Sequence, residues 1–335
     1  MKFKTIEHTQ NLEINKLVDF MHKSEALYNK SPTTKESHLY LLKLFFSNKT
    51  IFLISENEKE EFMACASISI DENYPKIAFL GHYHLPINLA GRDDIKKSFF
   101  NFIYSYCKKM NLSNIFGPIN FNTWLNNRFV YPIPEKLYSW EPKNPSLYPE
   151  DFFDEKFEID KKYFTYFLEG MEVSRLTPLY DQAIEQGFQI SEIDINNPDH
   201  QMDLYQLNCE CFAENYFFSE ISFEQYKNSI LKSIEGLDLR YSFFIGNSER
   251  KWGYIFNIPQ DEFMVIKTIL VSPKSRASGL ASALIFKSIT LAQTMGFTKT
   301  IGALIREGNA SQKFLKKGSN IYKTHEYFLL KKEIK

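Results

Sequence analysis

Short apolar blocks alternate with amphipathic stretches along this chain. In the second half, residues 188–193 read as a strand, 199–212 and 223–234 as helices, and 240–245, 252–256 and 263–271 as three strands. Residues 281–295 place Leu284, Ile285, Ile289, Leu291 and Ala292 on or near one helical face, and Gly296 ends that helix. A strand (298–304), a short helix (309–316) and a last strand (321–330) complete a mixed α/β order.

The first half repeats this order at low similarity. A shift of 185 residues lays 110–117 (MNLSNIFG) over 295–302 (MGFTKTIG), and the same shift lays 3–7 over 188–192. Two segments agreeing on one offset indicate a duplicated unit. The helix 93–109 then matches the helix before Met295, and 76–82 matches the strand 263–271. Two domains are expected, 1–170 and 171–335. Residues 131–153 are rich in proline and aromatics (Pro132, Pro134, Trp140, Pro145, Phe152). Such a segment resists regular structure yet is too aromatic for a free linker, so an ordered loop packed over one domain is expected.

At 335 residues the chain is long enough for two domains with substantial cores. Forty Lys and Arg balance 41 Asp and Glu, so no global field recruits nucleic acid or a membrane surface. No apolar run is long enough to span a bilayer, and the N-terminal residues lack a signal-peptide core. Cys65, Cys107, Cys209 and Cys211 show no zinc spacing; reduced thiols in a cytoplasmic protein without a metal are expected. The 31 Phe and 19 Tyr name no substrate, since these residues rise together with Asn, Lys and Ile under AT-rich codon usage.

Chemistry concentrates between the strand 263–271 and the helix that follows. There the chain reads Val271-Ser-Pro-Lys-Ser-Arg276-Ala277-Ser278-Gly279-Leu280-Ala281. A strand, a basic Gly/Ser turn and a helix start make an anion site, because the first N–H groups of a helix have no internal partner and its dipole favours negative charge. Gly279 permits close approach of the backbone, and Arg276 with Lys274 adds charge. At the 185 shift, Arg276 falls on Gly91, Gly279 on Asp94 and Ala281 on Lys96. The first copy, with Asp93 and Asp94 at that place, is therefore expected not to hold a pyrophosphate; a slip of a few residues would instead bring Arg92 into the loop.

The order V-x-P-x-x-R-x-x-G-x-A resembles the coenzyme A pyrophosphate loop of the GNAT acetyltransferase superfamily, through Val271, Pro273, Arg276, Gly279 and Ala281. The resemblance is specific over 263–330 and diffuse elsewhere. It implies two tandem GNAT-like domains, each a mixed central sheet flanked by helices, with acetyl-CoA or another acyl-CoA bound by the second. Backbone groups of Ile269, Leu270 and Val271 would pair with pantetheine, the loop 276–281 would hold the pyrophosphate, and Asn309 would touch the pantetheine arm. Asn309 is equally suited to capping the helix it begins.

Acetyl transfer to an amine also needs a base and relief of charge on the departing thiolate. The place where the family often carries a Tyr acid holds Phe314, which has no proton to give. Tyr322 and Tyr327 on the last strand are alternative donors; His325 and Glu214 are candidate bases. In the first half, Asn120, Asn122, Trp124 and Arg128 could orient a polar acceptor, or serve as turn and cap residues. The resemblance thus implies an N-acyltransferase acting on the amine of a small molecule. Two alternatives stay open: transfer of a longer acyl or an aminoacyl group, and a non-catalytic coenzyme A-binding protein.

Overall fold

The computed structural model describes residues 1–170, 172–312, 315 and 320–334, and of residues 276–278 the backbone alone. Its chain divides into two units, residues 1–162 with 326–335, and residues 163–325.

In the first unit β1 (Lys2–Ile6) is followed by α1 (Asn11–Ala26) and α2 (Lys35–Phe45), then β2 (Thr50–Glu56), β3 (Phe62–Ser69) and β4 (Ile77–His84). The Thr34 hydroxyl starts α2 by accepting the Ser37 N–H, one of the donors a helix leaves unpaired. The long helix α3 (Arg92–Lys109), β5 (Asn114–Gly117), the short β6 (Phe129–Val130), α4 (Leu147–Asp154) and β7 (Glu158–Glu169) come next. One face of the sheet packs Leu53, Ala66, Ile68 and Leu80 against Phe99, Phe100 and Ile103 of α3 and Phe152 of α4. The segment 131–153 is therefore not loop alone: from Leu147 it turns helical and buries Tyr148 and Phe152 in the core, apolar burial outweighing the local prolines.

The second unit runs through α5 (Thr177–Glu185), β8 (Gln189–Glu192), α6 (Pro198–Phe212), α7 (Phe223–Tyr226), β9 (Phe243–Gly246), β10 (Lys251–Gln260), β11 (Phe263–Val271), α8 (Leu280–Thr294) and β12 (Lys299–Arg306) to β13 (Asn320–Glu333). Residues 223–234 form one helical rod in three windings: α7, a π turn at Lys227–Leu231 and a 3₁₀ turn at Lys232–Ile234. Ile255, Met264 and Ile266 pack against Leu280, Leu284 and Ile289 of α8.

Strand order is the same in both units. In the first, β1–β2–β3–β4 pair antiparallel, β5 runs parallel to β4, and β13 pairs antiparallel with β5. In the second, β8–β9–β10–β11 pair antiparallel, β12 runs parallel to β11, and β7 pairs antiparallel with β12. Each unit thus takes its sixth strand from the other half of the chain. For this reason the boundary expected at 170/171 falls at 162/163, and the last ten residues return to the first unit.

The repeat holds, with one correction. Strands β5 and β12 begin 185 residues apart, at Asn114 and Lys299. The N-cap glycines of α3 and α8, Gly91 and Gly279, have φ of 65° and 74° and stand 188 apart. Gly279 therefore matches Gly91 rather than Asp94, and Arg276 matches Asn88. A left-handed turn before the helix is needed in both copies, and glycine meets it without a Cβ clash.

Candidate functional site

In the second unit, β11 and β12 pair from Phe263↔Lys299 to Ile266↔Gly302 and then part. Beyond that point, among the described residues, β11 pairs with β10 alone, Ile269 facing Ile255, Leu270 facing Tyr254 and Val271 facing Gly253. Meanwhile β12 follows β7. Its register slips between Gly302 and Ile305, Leu304 adopts φ 54°, and the Leu304 N–H donates to the Thr165 hydroxyl at 3.1 Å. The result is a fork one edge of which is the backbone of Lys267–Val271. These include the three residues the sequence assigned to backbone pairing with a ligand.

The far end of that edge leads into the turn. Pro273–Ser278 wind as a 3₁₀ helix, Gly279 takes its left-handed conformation, and α8 begins at Leu280. Among the described residues no side chain caps α8, so the N–H groups of its first turn, Leu280 and Ala281 included, are left for solvent or an anion. The side chains of Arg276, Ala277 and Ser278 lie outside the described set, as does Phe314.

The turn is held from beneath by a residue that sequence reading passed over. Glu210 of α6 accepts from the Ser272 hydroxyl at 2.7 Å and from the Arg250 guanidinium at 2.6 Å, with the Lys274 ammonium 4.0 Å away. Burial alone would raise the Glu210 carboxyl, but the Arg250 and Ser272 hydrogen bonds and the nearby cations hold it below the usual carboxylate range. Arg250 in turn lies over the Trp252 ring, 4.8 Å from its centroid. Glu214, one turn beyond Glu210 at the end of α6, is exposed at the same end of the unit. On the α6 face of the sheet, Asn208 donates to the Tyr226 hydroxyl at 3.1 Å and accepts from the Tyr254 hydroxyl at 3.0 Å. Both phenols are buried, which pushes their ionisation upward.

The remaining candidates are scattered. Tyr322 is 46% exposed and lies among Lys299 at the start of β12, Glu169 at the end of β7 and Glu262 just before β11. His325 is buried, its ring 4.7 Å from that of Phe167, which also touches Phe263. Both therefore sit at the opposite end of β11 from the turn. Tyr327 belongs to the first unit, fully buried with its hydroxyl on Glu141. The Asn309 side chain accepts the Ser311 N–H at 3.0 Å, its capping role.

The first unit closes its own fork. Past Phe79↔Phe116 the chain keeps beside β4: the Ile119 N–H donates to Leu80 O at 2.9 Å, and the Asn120 side chain accepts the His82 N–H at 2.7 Å. A Cβ on Gly81 would lie 2.2 Å from Ile119 O, so the approach is close enough to require glycine. Asn122 accepts the Trp124 N–H at 3.0 Å, and the Arg128 Nε–H donates to Asn127 at 2.7 Å. The turn and tie roles of Asn120 and Asn122 thus account for these residues. Arg92, brought to the helix start by the three-residue slip, makes a bidentate pair with the buried Asp151 at 2.7 and 2.5 Å.

The fold is similar to that of solved structures over the whole chain. A tandem GNAT protein from the clavulanic acid biosynthesis pathway (without AcCoA) aligns with TM-score 0.54 at 12% identity, covering 100% of this chain and 98% of that one. The fold is that of the GNAT superfamily, in tandem. Two further solved structures are similar. A probable N-acyltransferase from Enterococcus faecalis V583 aligns with TM-score 0.59 at 9% identity, covering 99% of this chain and 72% of that one. A GCN5-related N-acetyltransferase from Anabaena variabilis ATCC 29413 aligns with TM-score 0.57 at 10% identity, covering 100% and 73%. No family model matches the sequence, and no curated protein matches it. Among the described residues, no helix is long and apolar enough to cross a membrane, and no group of three or more His, Cys, Asp or Glu is placed to hold a metal ion.

Proposed function

We propose that the chain is an N-acyltransferase whose second GNAT unit takes an acetyl group from acetyl-CoA and passes it to the amine of a small molecule. The observation that carries this reading is the fork: a strand edge, Thr268–Val271, from which β12 has parted and which, among the described residues, runs into a left-handed Gly279 and a helix start without a side-chain cap. An extended chain bearing two amides can add to such an edge as a further strand would. A pyrophosphate at its end would meet the N–H groups of α8 and the positive end of the helix dipole. The residues present therefore fit coenzyme A, with Ile269, Leu270 and Val271 toward pantetheine and residues 276–281 toward the phosphates.

In this reading the fork orients the thioester, and an amine arriving from the α6 side attacks its carbonyl carbon. Glu214 is exposed at that end and is the nearest of the sequence candidates for receiving the amine proton. The first unit, its fork filled by residues 117–121, acts as scaffold. Cytoplasmic residence, resting on four cysteines read as reduced thiols, and the absence of a nucleic-acid partner, resting on the balanced charge, are part of the same proposal.

Isothermal titration with acetyl-CoA and with free coenzyme A tests the reading. One site of micromolar affinity supports it and justifies an acceptor screen. Absence of binding to both overturns it.

A further inference from the structure

On the reading that the turn before α8 holds the coenzyme's pyrophosphate, we propose that Glu210 is a positioning residue. Its carboxylate fixes the root of that turn through the Ser272 hydroxyl, and so sets the affinity for the donor. Glu210 stands on α6, 62 residues before Ser272, and donor affinity is thereby tied to a helix remote in sequence from the turn.

The turn has a weak internal frame. Pro273–Ser278 wind as a 3₁₀ helix, whose hydrogen bonds are poorer in geometry than those of an α-helix. Its N-terminal end is fastened at Ser272, which is fully buried with every polar group engaged. The Ser272 N–H donates to Trp252 O at 2.7 Å, and the Ser272 carbonyl accepts the Ser275 N–H at 2.9 Å. The hydroxyl accepts the Lys274 N–H at 3.3 Å and donates to Glu210 at 2.7 Å. Pro273 has no N–H, so that of Lys274 is the first the turn offers.

A hydroxyl carries one proton and rotates to suit its partners. The charged Glu210 oxygen takes the proton and leaves a lone pair toward the Lys274 N–H. Without an acceptor at 210 the hydroxyl is free to rotate, and the turn loses both its tie to α6 and its fixed first bond. A carboxylate near an anion turn would by itself oppose a phosphate. Arg250 cancels that charge: it donates to the other Glu210 oxygen at 2.6 Å, while its Nε–H donates to the Lys251 carbonyl at 3.0 Å. Glu210 therefore supplies an acceptor at little net charge, and the largely exposed Lys274 ammonium, 4.0 Å away, adds a positive one.

The first unit keeps the carboxylate without this bond. Glu25 stands 185 residues before Glu210, and His84 stands 188 before Ser272. These are the offsets that align β5 with β12 and Gly91 with Gly279. Glu25 accepts the Thr33 N–H at 2.7 Å, and His84 Nδ1 meets no hydrogen-bond partner among the described residues. The unit expected to hold no coenzyme is the one in which the pair is not joined.

The test uses the full chain with acetyl-CoA alone as probe, Kd coming from calorimetry and retention of fold from urea midpoints. Glu210→Met removes the acceptor and Ser272→Ala removes the hydroxyl. Each should weaken acetyl-CoA binding about tenfold. The double variant should be at most about threefold weaker than either, because both changes cut one bond. Glu210→Gln loses the ion pair with Arg250 but keeps an oxygen that accepts from Ser272, and should stay within about threefold of wild type. A role in packing or in the ion pair alone would make Gln and Met alike. Unchanged affinity in folded Glu210→Met or Ser272→Ala, losses that multiply in the double variant, or a Gln variant as weak as Met would each overturn the positioning role and leave the donor reading standing. A wild type that binds no acetyl-CoA overturns the donor reading, and this assignment with it.

Discussion

The Leu304 N–H donates to the Thr165 hydroxyl at 3.1 Å, whereas the residue 185 positions earlier, Ile119, donates its N–H to Leu80 on the neighbouring parallel strand. One hydrogen bond, differently directed, separates an open fork from a closed one. In the second unit Thr165 draws β12 aside onto β7; in the first the chain stays against β4. Thr165 is fully buried, so replacing it with Val leaves the Leu304 N–H without this acceptor and costs about 1–3 kcal/mol. Thr165→Val is expected to weaken acetyl-CoA binding by about tenfold in titration calorimetry, and Thr165→Ser to restore it. Equal affinity in all three would show that the fork is held open by other means.

The first unit should hold no coenzyme A. Ile119 and Asn120 occupy the strand edge that a ligand would use, Asn88 stands where the second unit has Arg276, and Arg92 is spent on Asp151. Titration should therefore saturate at one site per chain. Asn120→Ala should lower stability by about 1–3 kcal/mol in urea unfolding, because it strands the His82 N–H, and should add no second site. Two equivalent sites in the wild type would overturn the assignment.

Gly279 tests the turn itself. Its φ of 74° is costly for any residue with a Cβ, by about 1–2 kcal/mol, but a Cβ there would meet Leu179 only at an ordinary 3.4 Å. Gly279→Ala should therefore fold, with Tm lowered by a few degrees. Gly279→Glu adds a negative charge at the start of α8 and should abolish coenzyme A binding while circular dichroism shows the fold retained. Unchanged affinity in Gly279→Glu would remove the turn from the site.

The loop and its flanking elements were legible because they are local. The strand Phe263–Val271, the helix after it and the Gly296 stop all follow from periodicity and punctuation within some thirty residues, and the structure places the strand on those same bounds. What depends on distant pairing was not legible. The exchange of β7 and β13 between units leaves no local mark, so the domain boundary moved and Tyr322 and His325 came out at the far end of β11. Asn120 looked like a ligand residue because an amide that ties backbone and one that binds substrate are the same group; only its bond to His82 separates them. The slip of three residues between the Gly91 and Gly279 turns was likewise hidden, since a single offset fitted both strands on which it was measured.

Acid should unfold the first unit earlier than its carboxylates require. His84, on β4, is buried beside Tyr148, and burial, with a smaller push from His38 of α2, pulls its imidazole down to about 3. His82 on the same strand is likewise held well below its ordinary range, by burial and then by His84 and His38. The facing groups are Glu25 of α1, 3.8 Å from His38 of α2, and Ser67 of β3, 2.9 Å from the His82 ring. Among the described residues, His84 Nδ1 meets no hydrogen-bond partner. An imidazole whose folded pKa is depressed contributes full stability above its unfolded value, near 6.5, and loses it as pH falls below that value. The loss for each such histidine approaches about 1.4 kcal/mol per pH unit, continuing for His84 toward pH 3. Urea midpoints measured from pH 7.5 down to 5 should therefore fall steadily below 6.5, and His84→Phe, which keeps the volume without the titration, should lessen the slope. A midpoint that stays level across that range, or a His84→Phe slope equal to the wild type, would mean that the buried imidazoles are solvated or paired by protonation in the folded chain.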